Sequence, residues 1–342
     1  MIILRSPFKA GIVILAMTFG LGSSFTKVGT TAAPFLKIEY GARPVGMGGS
    51  FVALANDASG IYYNPAGVAE VEKVCFMGGY TVWFADLKYN YATFILPTRR
   101  VNFSLWGSFL YSENIPVTTV EDPEGTTGLY FGYVDGLLGF TVSAFFSDLL
   151  SIGISGKYIQ QSLYNENAST FAFDIGSIFR TPWKGVRLGM CLVNYGGRMR
   201  LFGNDLIIQA DPWPDYPGNP DVEARITTES YPLPLAFKLG LAFDLIGVER
   251  AFFVDNSHRV TIAIDGIHPN DGDEKLQLGM EYGFQDIFFL RGGYKINYDT
   301  QRFTAGAGMK FAIGAREFAV DYAYVDMDVL DATHRISLAI GF

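Results

Sequence analysis

The chain has 342 residues, of which 49% are hydrophobic and 15% aromatic, and its formal net charge is −8 at pH 7. Its mean hydropathy of +0.20 is high for a soluble protein, yet after residue 24 no uninterrupted apolar run reaches the roughly 18 residues of a membrane helix. A helical membrane protein is therefore disfavoured. A transmembrane β-barrel is favoured over a soluble β protein because barrels use aromatic girdles and small lumen-facing residues. The acidic charge argues against nucleic acid as a partner.

The first 24 residues have the pattern of a signal peptide. Arg5 and Lys9 form a positive start, an apolar run follows, and Gly22 and Ser24 are small enough for a cleavage site. We expect export, with a mature chain that starts near Phe25. A single membrane anchor is the alternative, although the apolar run is short for that role.

The next stretch, GARPVGMGGSFVALANDASGIYYNPAGV, combines small residues with turn signals. Glycine lets the backbone turn and pack closely, Asp57 and Ser59 can start a short helical turn, and the Asn-Pro pair can end it. We interpret the stretch as a plug against a barrel wall, and a loop of no special function is the alternative. The residues that carry this interpretation are Gly46, Gly48, Gly49, Asp57, Asn64, Pro65, Ala66 and Gly67.

From residue 71 onward the hydrophobic pattern has a period of two, which predicts strands. Many of these strands reach about 10–13 residues, long enough for a tilted membrane crossing. We predict about fourteen, covering 71–84, 88–98, 100–112, 137–147, 150–162, 168–180, 185–195, 233–245, 257–268, 273–284, 286–297, 300–313, 315–326 and 332–342.

The connections between the predicted strands alternate in length. Short turns follow most even-numbered strands, whereas the two longest loops, 113–136 and 196–232, follow odd-numbered strands. Bacterial outer-membrane barrels likewise have short periplasmic turns and long extracellular loops. The segment Leu129–Val134 is a candidate for one short extra strand.

Each predicted strand has one apolar and one polar face. In the tenth strand, Leu276, Leu278 and Met280 alternate with Gln277 and Glu281. Small and charged residues on one face fit a hydrated lumen, so we expect the apolar face to contact outer-membrane lipid. The sequence predicts an all-β fold, a transmembrane antiparallel β-barrel in the bacterial outer membrane.

The last predicted strand must pair with the first, because no sheet edge can stay unpaired in lipid. Its sequence, HRISLAIGF, alternates and ends in Phe342. This ending resembles the C-terminal signal that bacterial barrel-assembly machinery recognises, and we therefore expect that machinery as a partner.

The segment Phe35–Lys73 resembles the N-terminal signature of the PorV/PorQ family of outer-membrane proteins, a branch of the FadL-type barrels with a similar NPAG segment. The resemblance implies a fourteen-stranded barrel, residues 71–342, whose lumen holds an N-terminal hatch, residues 25–70. The Gly46–Gly49 turn and the Asn64–Gly67 element would then belong to the hatch.

Two functions compete under this resemblance. PorV-like barrels bind secreted cargo and the machinery of type IX secretion, whereas FadL-like channels take up long-chain fatty acids or other hydrophobic compounds. The signature is common to the whole family and does not separate them. We predict a transport or protein-secretion component, with a FadL-like uptake channel as the alternative and a purely structural surface barrel as a third hypothesis.

Aromatic residues at strand ends and in the long loops are candidate contacts for either ligand. Those that can line a hydrophobic pocket are Trp83, Trp106, Phe131 and Trp213. Those that can form a partner interface in the loops are Trp213, Tyr216 and Tyr231. For each of them a structural girdle or a solvated loop tip is the alternative.

An enzyme is disfavoured, and we predict no cofactor and no metal. The histidines His258, His268 and His334 lack metal-ligand spacing, and no serine lies in a Gly-x-Ser-x-Gly motif. The HPNDGDE segment can hold Ca²⁺ in principle but lacks the EF-hand register, and a hairpin turn is the simpler interpretation. Cys75 and Cys191 are interpreted as small buried apolar side chains, with a bridge between them as the alternative.

Overall fold

The computed structural model describes residues 29–213, 215, 221–248 and 250–342. Within them, fourteen strands form a closed antiparallel barrel. Their bounds are Cys75–Val82, Lys88–Leu96, Asn102–Tyr111, Tyr133–Ser147, Leu150–Leu163, Glu166–Arg180, Arg187–Gly196, Ala236–Gly247, His258–Pro269, Lys275–Phe284, Phe288–Ile296, Phe303–Ile313, Arg316–Asp326 and Ala332–Gly341. The predicted fold class is confirmed, and each strand overlaps one of the predicted ranges.

The barrel closes between its first and last strands. Cys75 pairs with Gly341 and Val82 with His334, so no edge is left open at this seam. The seventh and eighth strands, although separated by the longest loop, also pair directly, from Arg187 with Ala242 to Val193 with Ala236. Every strand therefore lies beside its neighbours in sequence.

Side chains alternate between the lumen and the outer surface. In the tenth strand Met280 is 52% exposed, whereas its neighbour Glu281 is 2% exposed. Inside the barrel, Lys157 forms a salt bridge with Asp174 at 2.6 Å. The structure thus confirms that the polar face lines the lumen and that opposite charges pair there. The apolar face lies outside, as a surface in contact with lipid requires.

The two rims differ as predicted, and we name them by their connections. The long-loop rim carries the loops 112–132 and 197–235, and the short-turn rim includes the two-residue turns 148–149 and 314–315. The predicted extra strand is divided between two elements: Tyr130–Phe131 pairs with Ile115–Pro116 inside the first loop, and Tyr133 already begins the fourth barrel strand.

Residues 29–70, which we call the hatch, run through the lumen from one rim to the other. At the long-loop rim Thr31 donates to Asp271 at 2.6 Å, and at the short-turn rim Glu70 forms a salt bridge with Arg180 at 2.7 Å. The short helical elements of the hatch are Pro34–Lys37, Ala42–Gly46, Gly60–Tyr63 and Pro65–Glu70. No helix in the described part of the chain is long and apolar enough to span a membrane.

Candidate functional site

The hatch backbone packs directly against glycines of the barrel wall. A Cβ at Gly293 would collide with Gly48, and a Cβ at Gly279 would collide with the Met47 carbonyl. Gly48 itself has a φ of +69°, a conformation that glycine adopts without strain. The lumen-facing wall glycines that contact the hatch in this way are Gly153, Gly176, Gly189, Gly240, Gly279, Gly293 and Gly306.

Asn64 is the polar centre of the docked hatch. Its side-chain Nδ2 donates to the Val52 carbonyl within the hatch at 2.9 Å and to the Ser177 carbonyl of the sixth strand at 3.0 Å. Its Oδ1 accepts from the Ala66 backbone N–H at 3.1 Å and so caps the helical turn that follows. The Asn-Pro-Ala-Gly motif therefore holds the hatch both to itself and to the wall.

The other predicted hatch residues lie in the same docked segment. Gly46 lies against Gly306, and a Cβ at Gly67 would collide with the Ala55 carbonyl. Ala66 accepts through its carbonyl from Ser143 Oγ at 3.0 Å. The remaining members follow the same pattern: Gly49 lies beside Glu39 and Gln277, and Pro65 lies against Gly153 and Gly176.

Arg43 connects the hatch to a buried ion network. Its guanidinium donates to both Glu281 carboxylate oxygens at 2.8 Å and to Asp57 Oδ2 at 2.7 Å. Arg291 bridges Glu281 at 2.7 Å and Asp321 at 2.6 Å. Burial raises the pKa of Asp57, but the charge of Arg43 and hydrogen bonds from Ser59 and Arg43 outweigh it, so the pKa lies below its usual value.

Asp271 holds the start of the hatch at the long-loop rim. It accepts from Lys37 and Thr31, and these contacts hold its pKa below the usual value even though burial alone would raise it. Asp271 belongs to the HPNDGDE segment, which here connects the ninth and tenth strands. In the ranges that the structure describes, no group of three or more His, Cys, Asp or Glu side chains has metal-binding geometry. Both cysteines are free thiols.

A cavity of about 270 Å³, the outer cavity, lies between the hatch and the wall near the long-loop rim. Its lining combines apolar side chains, among them Leu36, Trp106, Leu137, Val193 and Ile267, with polar and charged ones. Two hatch tyrosines, Tyr62 and Tyr63, also line it.

Lys238 points its ammonium into the aromatic side of the outer cavity. Its Nζ lies 4.9 Å from the Tyr62 ring centroid and 5.7 Å from that of Tyr63. Lys157 and Lys295, by contrast, form salt bridges with Asp174 and Glu39 at 2.6 Å each. Lys238 is thus a nearly buried cation, 8% exposed, that lies close to two ring faces.

A larger cavity of about 750 Å³, the inner vestibule, lies at the short-turn rim between the hatch and the first, twelfth, thirteenth and fourteenth strands. Asp57, Ser59 and Glu70 line it on the hatch side, and Cys75 and Met77 on the wall side. The two cavities have no lining residue in common. The hatch therefore divides the lumen into two chambers.

The structure places the predicted contact residues in different regions. Trp106 lines the outer cavity and donates through Nε1 to Thr141 at 3.1 Å. Trp83 lies at the first turn of the long-loop rim, where the Arg335 guanidinium packs 5.4 Å from its ring. Phe131 is part of the first long loop.

Trp213 and Tyr231 are exposed in the second long loop, away from the lining of either cavity, and Tyr216 and the predicted signal peptide lie outside the described residues. Phe342 donates its backbone N–H to the Val74 carbonyl at 2.9 Å, and its ring is exposed.

Tyr62 and Tyr63 were not predicted as lining residues, although they immediately precede the Asn-Pro-Ala-Gly motif. Lys238 was detectable as the one basic residue in the strand LAFKLGLAFD, on the predicted lumen face. No signal in the sequence distinguishes it from the paired lysines of the lumen.

Comparison with solved structures finds proteins of similar fold. The CymD monoaromatic hydrocarbon channel superposes with a TM-score of 0.55 at 12% identity, covering 89% of this chain and 98% of CymD. The toluene transporters TbuX of Ralstonia pickettii and TodX of P. putida give TM-scores of 0.53 and 0.56 at 11% and 10% identity, with the same coverage of 89% and 98%.

Matches to the sequence cover less of the chain than the structural matches do. A model described as "Uncharacterised protein family (UPF0164)" matches residues 11–147. No curated protein matches the sequence significantly. None of these matches names the PorV/PorQ family, so that resemblance stays a prediction. What the structural matches show is the fold, and the chain has a closed fourteen-strand barrel, with an N-terminal segment of short helices, similar to the fold of the matched proteins.

Proposed function

We propose that this chain is an outer-membrane channel that admits small hydrophobic compounds through its hatched lumen. The observation that carries the proposal is the outer cavity, a chamber between the docked hatch and the wall whose lining includes apolar and aromatic side chains beside charged ones. The fold in common with hydrocarbon and toluene channels supports it. Among the two functions weighed from the sequence, uptake is therefore favoured over protein secretion.

The cavity dimensions favour a compact ligand. Pockets for drug-sized molecules span about 300–1,000 Å³, and the outer cavity of about 270 Å³ falls just below that range. A single aromatic ring or a short aliphatic chain fits this space better than an extended long acyl chain. Lys238, lying over Tyr62, adds affinity for compounds with a polar or anionic group at one end.

The secretion hypothesis depends on the long loops. Trp213 is 61% exposed and Tyr231 is 44% exposed, and exposed aromatic residues are common in protein interfaces. Lone exposed aromatic side chains on long loops are also ordinary features of a solvated surface. This function is therefore the second candidate.

The two functions differ in what purifies with the protein. We would extract the full chain in mild detergent from its native outer membrane and identify bound proteins and small molecules by mass spectrometry. Uptake predicts a bound hydrophobic compound, whereas secretion predicts stoichiometric protein partners. Partners without any bound compound would overturn the uptake proposal.

A matched pair of variants tests whether the hydrophobic ligand binds in the outer cavity. Leu137 is 4% exposed and lines the cavity, and its neighbour Leu138 is 55% exposed on the lipid-facing surface. Leu137→Trp should fill the cavity and weaken the binding of naphthalene, measured by its fluorescence, while Leu138→Trp should leave binding unchanged. Equal binding by both variants would contradict the assignment of the cavity.

A further inference from the structure

We propose that the inner vestibule is a second chamber for the same hydrophobic ligand and that the Phe51 side chain is the gate between the two chambers. This inference rests on the proposed uptake function and adds the path past the hatch. It requires a side-chain rotation and leaves the hatch backbone docked.

Three side chains in contact with one another, Arg43, Phe51 and Tyr63, separate the chambers. Arg43 lines the inner vestibule, and its guanidinium lies 5.1 Å from the centroid of the Phe51 ring. The Phe51 ring packs edge-on against Tyr63 at 5.6 Å, and Tyr63 lines the outer cavity. Phe51 lines neither chamber and is fully buried between the residues that do. A rotation of its ring therefore acts at the position that separates the two chambers.

The backbone around Phe51 is held more firmly than its ring. The Phe51 and Val52 N–H groups donate to Asp265 Oδ2 at 2.6 and 2.8 Å, and the Phe51 carbonyl accepts from Ala55 at 2.8 Å. The Tyr63 hydroxyl has no hydrogen-bond partner among the described residues. The rings of Phe51 and Tyr63 are held by packing and by the cations of Arg43 and Lys238 beside them, and rotating them breaks no hydrogen bond.

The vestibule is suited to an apolar ligand that leaves toward the short-turn rim. Val71, Cys75, Met77, Ala319 and Ala339 supply apolar or small surface. Several of the charges around them are paired with one another: Arg43 with Asp57, Arg180 with Glu70, and Lys73 with Glu317. A charge that is paired with an opposite charge binds less water than a free one, so an apolar ligand displaces less bound water from the chamber.

Cys75 provides a reporter in the unaltered chain. It lines the vestibule, whereas Cys191 is 1% exposed and lies elsewhere in the wall. In the purified full chain, naphthalene should slow the labelling of Cys75 by monobromobimane several-fold, with Cys75→Ala as the background control. Unchanged labelling at a naphthalene concentration that saturates binding would overturn the second chamber.

Substitutions at Phe51 test the gate. In proteoliposomes, Phe51→Ala should raise the rate of naphthalene uptake several-fold and Phe51→Trp should lower it, while Phe94→Ala on the lipid-facing surface should not change it. Heat-modifiable migration on a gel identifies the variants that fold, and Phe51→Leu replaces Phe51→Ala if the latter does not. Wild-type uptake rates in the Phe51 variants would overturn the gate.

The outcomes separate this inference from the function on which it rests. If wild-type protein binds no hydrophobic compound at all, the uptake function fails. If it binds naphthalene but neither Cys75 labelling nor the Phe51 variants respond, the function stands and the path past the hatch lies elsewhere.

Discussion

The hatch is held to the barrel in two different ways on its two sides. From Gly46 to Gly67 its backbone lies against wall glycines and small residues, with Asn64 as the polar centre. Beside the inner vestibule it is held instead by charges: Arg43 pairs with Glu281 of the wall and, within the hatch, with Asp57. Close backbone contact leaves no space to move and does not depend on pH, whereas ion pairs beside a cavity respond to protonation. We therefore expect an added side chain to destabilise the backbone-docked side of the hatch, and a change in charge or pH to destabilise the side held by ion pairs.

Removing the central carboxylate should have the largest effect. Glu281→Gln leaves Arg43 and Arg291 without the anion that they share, and breaking a buried ion pair costs about 3–5 kcal/mol. We expect the free energy of unfolding, measured by urea titration in lipid vesicles with tryptophan fluorescence, to fall by that amount. A loss near zero would show that the ion network does not hold the hatch.

Adding a side chain on the backbone-docked side should come next. Gly293→Val places methyl groups against Gly48, and overpacking of this kind costs about 1–3 kcal/mol. Gly292→Val is the matched control, because a Cβ there meets nothing within 4 Å. The same urea titration should separate the two variants, and equal stability would contradict close docking of the hatch.

Truncating Asn64 should cost somewhat less. Asn64→Ala leaves the carbonyls of Val52 and Ser177 without this donor inside the barrel, a loss of about 1–3 kcal/mol. Asn165, whose hydrogen bonds to Asp205 lie at the exposed rim, serves as the control; Asn165→Ala should change stability by less than about 0.5 kcal/mol. Similar losses of stability in both variants would contradict the claim that the Asn-Pro-Ala-Gly motif holds the hatch to the wall.

The charge-held side should also be the pH-sensitive one, with the smallest effect. The pKa of Asp57 lies below its usual value in the folded protein, so its ion pair stabilises the fold fully above the unfolded pKa of about 3.9 and this contribution is lost as the pH falls through the folded pKa. Unfolding free energies at pH 7 and pH 3 should differ more for wild type than for Asp57→Asn. An equal difference would indicate that other groups carry the pH dependence.

The barrel was predictable from the sequence because each of its strands carries its own evidence. Alternation such as Leu276, Gln277, Leu278 identifies a strand and its two faces without knowledge of any partner. The hatch was also recognisable, but only from the turn residues around Asn64 together with the resemblance of Phe35–Lys73 to a family signature. Strand count, closure and the position of the long loops followed from these local signals.

The cavities were not predictable in the same way, because they exist only where the docked hatch leaves space. Nothing in the sequence shows that Gly293 contacts the hatch and that its neighbour Gly292 does not. Exposed aromatic residues such as Trp213 and Tyr231 were equally good candidates as Trp106, yet of the three only Trp106 lines the outer cavity. Phe51, at the centre of the partition, resembles any other apolar residue in its segment.

The most direct test of the account is the rate at which proteoliposomes containing the full chain take up naphthalene from the outside. The account predicts uptake that is faster than in protein-free vesicles, saturates with naphthalene concentration, and falls in Leu137→Trp but not in Leu138→Trp. Uptake equal to that of protein-free vesicles, or equal in both variants, would contradict the proposal that this barrel conducts hydrophobic compounds through its outer cavity.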